Sequence, residues 1–120
     1  MSAVKTILVT GGRNYYDKEV IHATLKELDR QHGITTLIHG GASGADTIAG
    51  AWAKEQGITV WVYPADWAKY GKAAGPMRNR DMLTRGKPDL VVAFEGGRGT
   101  ANMIKQAREA GILVLEAKCV

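Results

Sequence analysis

The sequence predicts a single α/β domain of the Rossmann-like kind, with about five mainly parallel strands and helices on both faces. Three observations predict it. Short apolar blocks alternate with longer segments of helical periodicity. The blocks are continuous rather than alternating, as in strands buried on both sides. Glycine-rich turns follow three of the blocks: Gly11-Gly12-Arg13, Gly40-Gly41-Ala42-Ser43-Gly44-Ala45-Asp46 and Gly96-Gly97-Arg98-Gly99-Thr100. Right-handed crossovers put the C-terminal ends of parallel strands on one edge, so the three turns are expected to meet there, where open sheets bind ligands.

Each element has its own signal. Thr6-Ile7-Leu8-Val9-Thr10 reads as the first strand, ended by Gly11. Asp17 is a helix N-cap, Ile21, Leu25 and Leu28 mark one face of a helix running to about His32, and Gly33 ends it. Thr35 to Ile38 form the second strand. The glycine turn then opens a helix to Gln56, with Ala45, Ile48, Ala49, Trp52 and Ala53 on one face and Gly57 as its stop. The third strand is Ile58 to Tyr63, closed by Pro64. Residues 64–75 read as a long loop of the functional kind, and Pro76 sits in the first turn of a short helix to about Arg85. Asp89 to Phe94 form the fourth strand. A helix with Met103, Ile104, Ala107 and Ala110 inward follows, ended by Gly111, and Ile112 to Leu115 form the last strand.

The 120 residues suit one domain spanning 1–120. Glycine numbers 15, where the usual ~7% would give about 8 to 9, and the excess sits at strand-to-helix junctions. No repeat is apparent. No apolar run approaches the ~20 residues of a membrane span, and Met1-Ser2-Ala3-Val4-Lys5 lacks a signal-peptide layout. A lone Cys119 excludes a disulfide framework or a cysteine metal site within one chain. A cytoplasmic protein without membrane, metal or required cofactor is the expectation. Residues 1–60 carry six Lys/Arg and six Asp/Glu, whereas 61–120 carry ten and six, so the net +4 lies in the second half. Lys69, Lys72, Arg78, Arg80, Arg85 and Lys87 face only Asp81 within 69–87. Such a segment suits an anionic ligand or nucleic acid.

The turns carry the chemistry. A strand–glycine turn–helix junction presents backbone N–H groups at the positive end of a helix, a ready anion site. Gly40 to Asp46 is neither a Walker motif nor a strict G-x-G-x-x-G fingerprint, yet its small residues admit a ligand close to the backbone. Ser43 either donates to a phosphate or caps the helix. Asp46 either caps the helix or meets a ribose hydroxyl. Gly96 to Thr100 is the most specific signal, a nest of N–H groups with Thr100 as N-cap or phosphate ligand. Glu95 beside it faces a ribose, acts as a base or points to solvent. Arg78 and Arg80 flank Asn79 on different helix faces, so at most one reaches a given ligand group. Trp67 and Tyr70, interleaved with Lys69 and Lys72, stack on a base, anchor the loop or lie in an interface.

With these motifs the sequence resembles the SLOG superfamily, the Rossmann-like domains related to the DNA-processing protein DprA and the LOG phosphoribohydrolases, and within it the YspA-like branch. The resemblance covers nearly the whole chain. It rests on Gly11-Gly12-Arg13, on His39 to Asp46, on Ala65-Asp66-Trp67 with Gly75-Pro76-Met77-Arg78-Asn79-Arg80, and on Lys87-Pro88-Asp89 running into Gly96 to Met103. It implies a nucleotide or nucleotide-derived ligand at the glycine edge. LOG enzymes read P-G-G-x-G-T followed by a catalytic glutamate, with an assisting arginine on the preceding helix. Gly96 to Thr100 and Arg80 match. Glu95 stands in place of the proline, and the glutamate position falls around Asn102 and Met103. Arg80 and Glu95 are therefore the candidates for any catalysis.

The site expected from all this comprises Gly11, Gly12 and Arg13; Gly40, Gly41, Ser43, Gly44 and Asp46; Arg78, Asn79 and Arg80; and Gly96, Gly97, Arg98, Gly99 and Thr100. Trp67 and Tyr70 are the stacking candidates. Binding or sensing of a nucleotide is the expected role. LOG-like cleavage of an N-glycosidic or phosphate bond and DprA-like single-stranded DNA binding are the alternatives, and the resemblance implies a homodimer.

Overall fold

A computed structural model describes residues 4–117; the readings placed on Met1 to Ala3 and on Cys119 lie outside them. Five strands, β1 (Thr6–Thr10), β2 (Thr36–His39), β3 (Thr59–Val62), β4 (Leu90–Ala93) and β5 (Leu113–Glu116), form one sheet of order β3-β2-β1-β4-β5. Every pairing is parallel. The expected Rossmann-like architecture is what forms. Helices α1 (Lys18–His32) and α2 (Ala45–Glu55) connect the first three strands. A short α3 (Trp67–Tyr70), a 3-10 turn (Gly71–Ala73), α4 (Ala74–Gly86) and α5 (Arg98–Glu109) serve the rest.

Successive residues of a strand point to opposite faces, and the core divides accordingly. Ile7 and Val9 pack with Ile21, Leu25, Ile48 and Trp52 under α1 and α2. Leu8 faces the other way and packs with Met82, Leu83, Met103 and Ala107 from α4 and α5. The start of β1 is fixed by Asp89, whose Oδ2 accepts from the Lys5 and Thr6 amides at 3.0 and 2.9 Å. Asp17 caps α1 as expected, accepting from the Val20 amide at 3.2 Å, and Gly33 closes that helix in the left-handed region.

Three expectations need correction. Residues 64–75 are not an open loop: Asp66 Oδ1 accepts from the Lys69 amide at 3.1 Å and nucleates α3, and α4 begins at Ala74, two residues before Pro76. Continuous apolar blocks predicted two-sided burial for all five strands, but β3 and β5 are the sheet's edges, and Trp61, Val62, Leu113 and Leu115 are exposed. Ala110 is exposed as well, because α5 ends at Glu109.

The order places β1 between β2 and β4, so the chain switches direction across the sheet beside the C-terminal end of β1. Gly44, the N-cap of α2, is wedged against this point. Its φ is +76°, and a Cβ there would collide with the carbonyls of Gly12 and Arg13. Gly57 shares the same kind of φ, +75°, but faces open space. Gly57→Ala is therefore expected to cost about 1–2 kcal/mol for the left-handed backbone alone. Gly44→Ala is expected to cost at least about 2 kcal/mol more, because the carbonyls must also move. Urea unfolding of the two variants checks this; equal losses would show that the close approach at Gly44 is unimportant.

Candidate functional site

The three glycine turns meet at the switch point through backbone contacts. The Gly12 amide donates to the Glu95 carbonyl at 2.9 Å, and the Ala45 amide donates to the Gly12 carbonyl at 3.3 Å. A Cβ on Gly96 would sit 2.7 Å from the Gly12 nitrogen. Ser43 Oγ donates to the Arg13 carbonyl at 3.1 Å. Its hydroxyl thus ties the first turn to the second and does not cap α2, which has no side-chain cap.

Asp46 also serves the turn rather than its own helix. It is 5% exposed, and its Oδ2 accepts from the Gly40 amide at 2.9 Å and the Ala42 amide at 3.3 Å. Burial raises its pKa from 3.8 to about 6, opposed by those two amides and by the Arg78 charge. Arg78 braces the same turn from the far side. Its Nη1 donates to the Gly40 carbonyl at 2.7 Å and more weakly to the Tyr63 carbonyl at 3.4 Å, so α4 is pinned to the ends of β2 and β3. Burial lowers the Arg78 pKa from its ordinary value, with the neighbouring Arg13 acting the same way and Asp46 opposing.

An amide network carries the brace on to α5. Arg78 Nε donates to Asn79 Oδ1 at 2.9 Å, and Asn79 Nδ2 donates to the Gly99 carbonyl at 3.2 Å and to Asn102 Oδ1 at 3.1 Å. Gln106 Nε2 donates to Asn102 Oδ1 at 2.7 Å and to the Pro76 carbonyl at 3.1 Å. The position where the LOG resemblance puts a glutamate thus holds an amide committed to packing α4 on α5.

Around these contacts opens a cavity of about 900 Å³. Gly11, Gly12 and Arg13 line one side; Ala42 and Asp46 another; Arg78 and Asn79 a third. Glu95 and Gly96 to Thr100 complete it, and Trp67 and Lys72 stand at the mouth. The helix α5 points its N-terminus here. Its N-cap is Gly97, which leaves the first amides without a side-chain cap. Thr100 is the third residue of the helix and so does not cap it. It is 6% exposed, it lines the cavity, and its hydroxyl has no hydrogen-bond partner among the described residues.

Other expected residues fall outside this space. Gly40, Gly41 and Ser43 open onto an adjoining cavity of about 260 Å³, bounded also by Arg13, Trp67 and Arg78. Gly44 lies beneath the Gly12–Arg13 backbone. Arg80, two residues on from Arg78 along the helix, is exposed and faces away from both spaces. Tyr70 lies beyond the mouth with Lys69 Nζ 5.1 Å from its ring centre. The Arg13 guanidinium lies 5.4 Å from the centre of the Trp67 ring. Sequence reasoning missed Tyr15, which lines the cavity and stacks on Phe94 at 5.6 Å, and named Asn102 only as the counterpart of the LOG glutamate, without its place in the amide network. The polar pair Asn102 and Gln106, four apart on α5, was the available signal. Among the described residues there is no cluster of three or more His, Cys, Asp or Glu able to hold a metal, and no helix long and apolar enough to cross a membrane.

With this geometry in view, the family model for YspA, cpYpsA-related SLOG proteins matches residues 5–70. The chain belongs to this SLOG family. It is 38% identical to the Gene 61 protein of Mycobacterium phage D29 over 120 residues, covering 93% of this chain and 95% of that one. Its fold is similar to that of DNA processing protein A (DprA) from Streptococcus pneumoniae, with a TM-score of 0.75 at 18% identity. That match covers 94% of this chain and 50% of DprA, so the SLOG chain spans half the DprA length.

The Asp46 environment gives a pH prediction. Its folded pKa lies above the unfolded one, so the folded state loses stability as pH rises from about 4 through about 6, when the buried carboxyl must ionise. Asp46→Asn keeps an acceptor for the turn without that penalty. Relative to the natural chain, this variant is expected to gain roughly 1–3 kcal/mol between pH 4 and pH 7, read from urea midpoints. A stability difference that stays flat over this range would contradict a desolvated carboxylate.

Proposed function

We propose that this SLOG chain binds a phosphate-bearing nucleotide or nucleotide-derived ligand in the large cavity. The observation that carries the reading is the start of α5: an uncapped helix N-terminus beside Thr100, a residue only 6% exposed whose hydroxyl has no hydrogen-bond partner among the described residues. Free amides at a helix N-terminus favour an anion through both hydrogen bonds and the helix dipole. Thr100 supplies one more donor. Arg13, Arg98 and Lys72 around the rim attract the charge, while Arg78 contributes its field from within the wall.

The size and lining support a nucleotide rather than a bare phosphate. A space of about 900 Å³ matches the ~300–1,000 Å³ typical of small-molecule sites. The exposed Trp67 ring at the mouth, already carrying a guanidinium, is a platform on which a base stacks. Asp46 Oδ1 has no protein donor among the described residues, which suits a ribose hydroxyl.

The test is a thermal-shift panel of mono-, di- and triphosphate nucleotides, dinucleotides and cyclic nucleotides. At least one is expected to stabilise the fold by about 2.7 kcal/mol at 100 times its Kd, a rise in melting temperature of roughly 10 °C. Thr100→Val and Arg98→Ala are each expected to weaken binding by about tenfold. No stabilisation by any member overturns the reading.

Single-stranded nucleic acid is the second reading, favoured by the exposed Arg13, Lys69, Lys72 and Arg98 around the aromatic mouth and by the DNA processing named for DprA. It predicts that log affinity for an oligonucleotide falls steeply and linearly with log salt. Salt-independent affinity, or none, excludes it.

A further inference from the structure

A second cavity of about 460 Å³ opens on the β5 side of the α5 N-terminus. The two spaces share Tyr15, Glu95, Gly96, Gly97 and Thr100, so they are neighbours across the glycine turn. Thr100 stands at the junction, and its hydroxyl, which has no hydrogen-bond partner among the described residues, borders both. The second space differs in chemistry. Its floor is apolar, built from Phe94, Ala101, Ile104 and Ala117, and its ionisable walls are the carboxylates of Glu95 and Glu116. Among the described residues neither Lys nor Arg lines it, whereas Arg13, Lys72, Arg78 and Arg98 line the first.

We infer that the second cavity is a subsite for an amine-bearing arm attached to the ligand's phosphate, so that the ligand is a phosphodiester with a nucleoside on one side and a cationic or donor-rich group on the other. The inference rests on the reading that a phosphate sits at the start of α5. A phosphate held there by the Thr100 hydroxyl and the helix amides lies at the boundary of the two cavities. A monoester fills the first and leaves the second to water. A diester continues into the second, where an aliphatic linker covers Ile104 and Ala101 and its terminal amine meets carboxylate. Glu116 is suited to this. One of its oxygens, Oε2, accepts from Arg108 Nη2 at 2.9 Å in an exposed ion pair, and the other has no donor among the described residues. Glu95, a misplaced charge next to an anion site, acquires a role as the partner of a cation rather than of the phosphate.

The experiment measures calorimetric affinities for 5′-nucleotides of the four common bases, each as the free monophosphate, the ethyl phosphodiester and the 2-aminoethyl phosphodiester. For the base that binds best, the aminoethyl diester is expected to bind about tenfold tighter than the ethyl diester, the size of one charge-assisted hydrogen bond. Glu116→Gln is expected to reduce that ratio to near one, and so is Ile104→Trp, which fills the floor, with the monophosphate's affinity unchanged by either. Equal affinity for all three forms, or a ratio that survives both variants, overturns the subsite while leaving nucleotide binding intact. If no form binds, the reading of the first cavity fails and the subsite fails with it.

Discussion

The structure depends on a backbone-to-backbone approach at the end of β1. The Gly12 amide donates to the Glu95 carbonyl while its own carbonyl accepts from Ala45, so one residue joins the turn after β4 to the turn before α2. Gly44 and Gly96 make this possible, since a side chain on Gly44 would occupy the space of the Gly12 and Arg13 carbonyls and one on Gly96 that of the Gly11–Gly12 backbone and the Thr100 hydroxyl. The ends of β1 and β4, which the sheet order makes adjacent, are thereby drawn close enough for α5 to aim its N-terminus into the space between them. The apolar clusters on the two sheet faces stabilise the fold; the glycine contacts decide where its opening lies.

Charged and amide side chains then divide between architecture and ligand. Asp46, Arg78, Asn79 and Asn102 form a chain of hydrogen bonds that runs from the second turn through α4 to α5. Removing a member leaves a buried partner unsatisfied, so these residues hold the cavity's shape even where they also border it. Arg13, Lys72 and Arg98 make no such commitments to the interior and remain available to an anion. Thr100 is the point of contact between the two groups: it is packed like a core residue, and its hydroxyl at the opening has no partner among the described residues.

Much of this was legible in the sequence. Apolar blocks, glycine stops and the Asp17 cap gave the strand and helix order and the edge where the turns gather. Strand position was less legible, because Trp61 and Leu113 read as interior residues until the order β3-β2-β1-β4-β5 left them at the margins. Composition also hid the division of labour. Nothing in Arg78-Asn79-Arg80 says which arginine turns inward; that follows from the helix starting at Ala74, which sets Arg78 against the Gly40 carbonyl and Arg80 toward solvent. Of the two sequence readings of Asp46, the helix cap gives way: its Oδ2 gathers the amides of the turn that precedes its helix. Such a contact depends on the backbone path of Gly40 to Gly44, which side-chain patterns do not encode.

The central claim is that the glycine edge is an anion site centred on the start of α5. Backbone amide NMR during titration with AMP and, separately, inorganic phosphate tests it most directly. Saturable shifts concentrated at the amides of Gly97, Arg98, Gly99 and Thr100, with smaller ones at Gly12 and Arg13, are the predicted result. Shifts spread over the exposed basic positions Arg80, Arg85 and Lys87, or absent from the α5 amides at saturation, would contradict it.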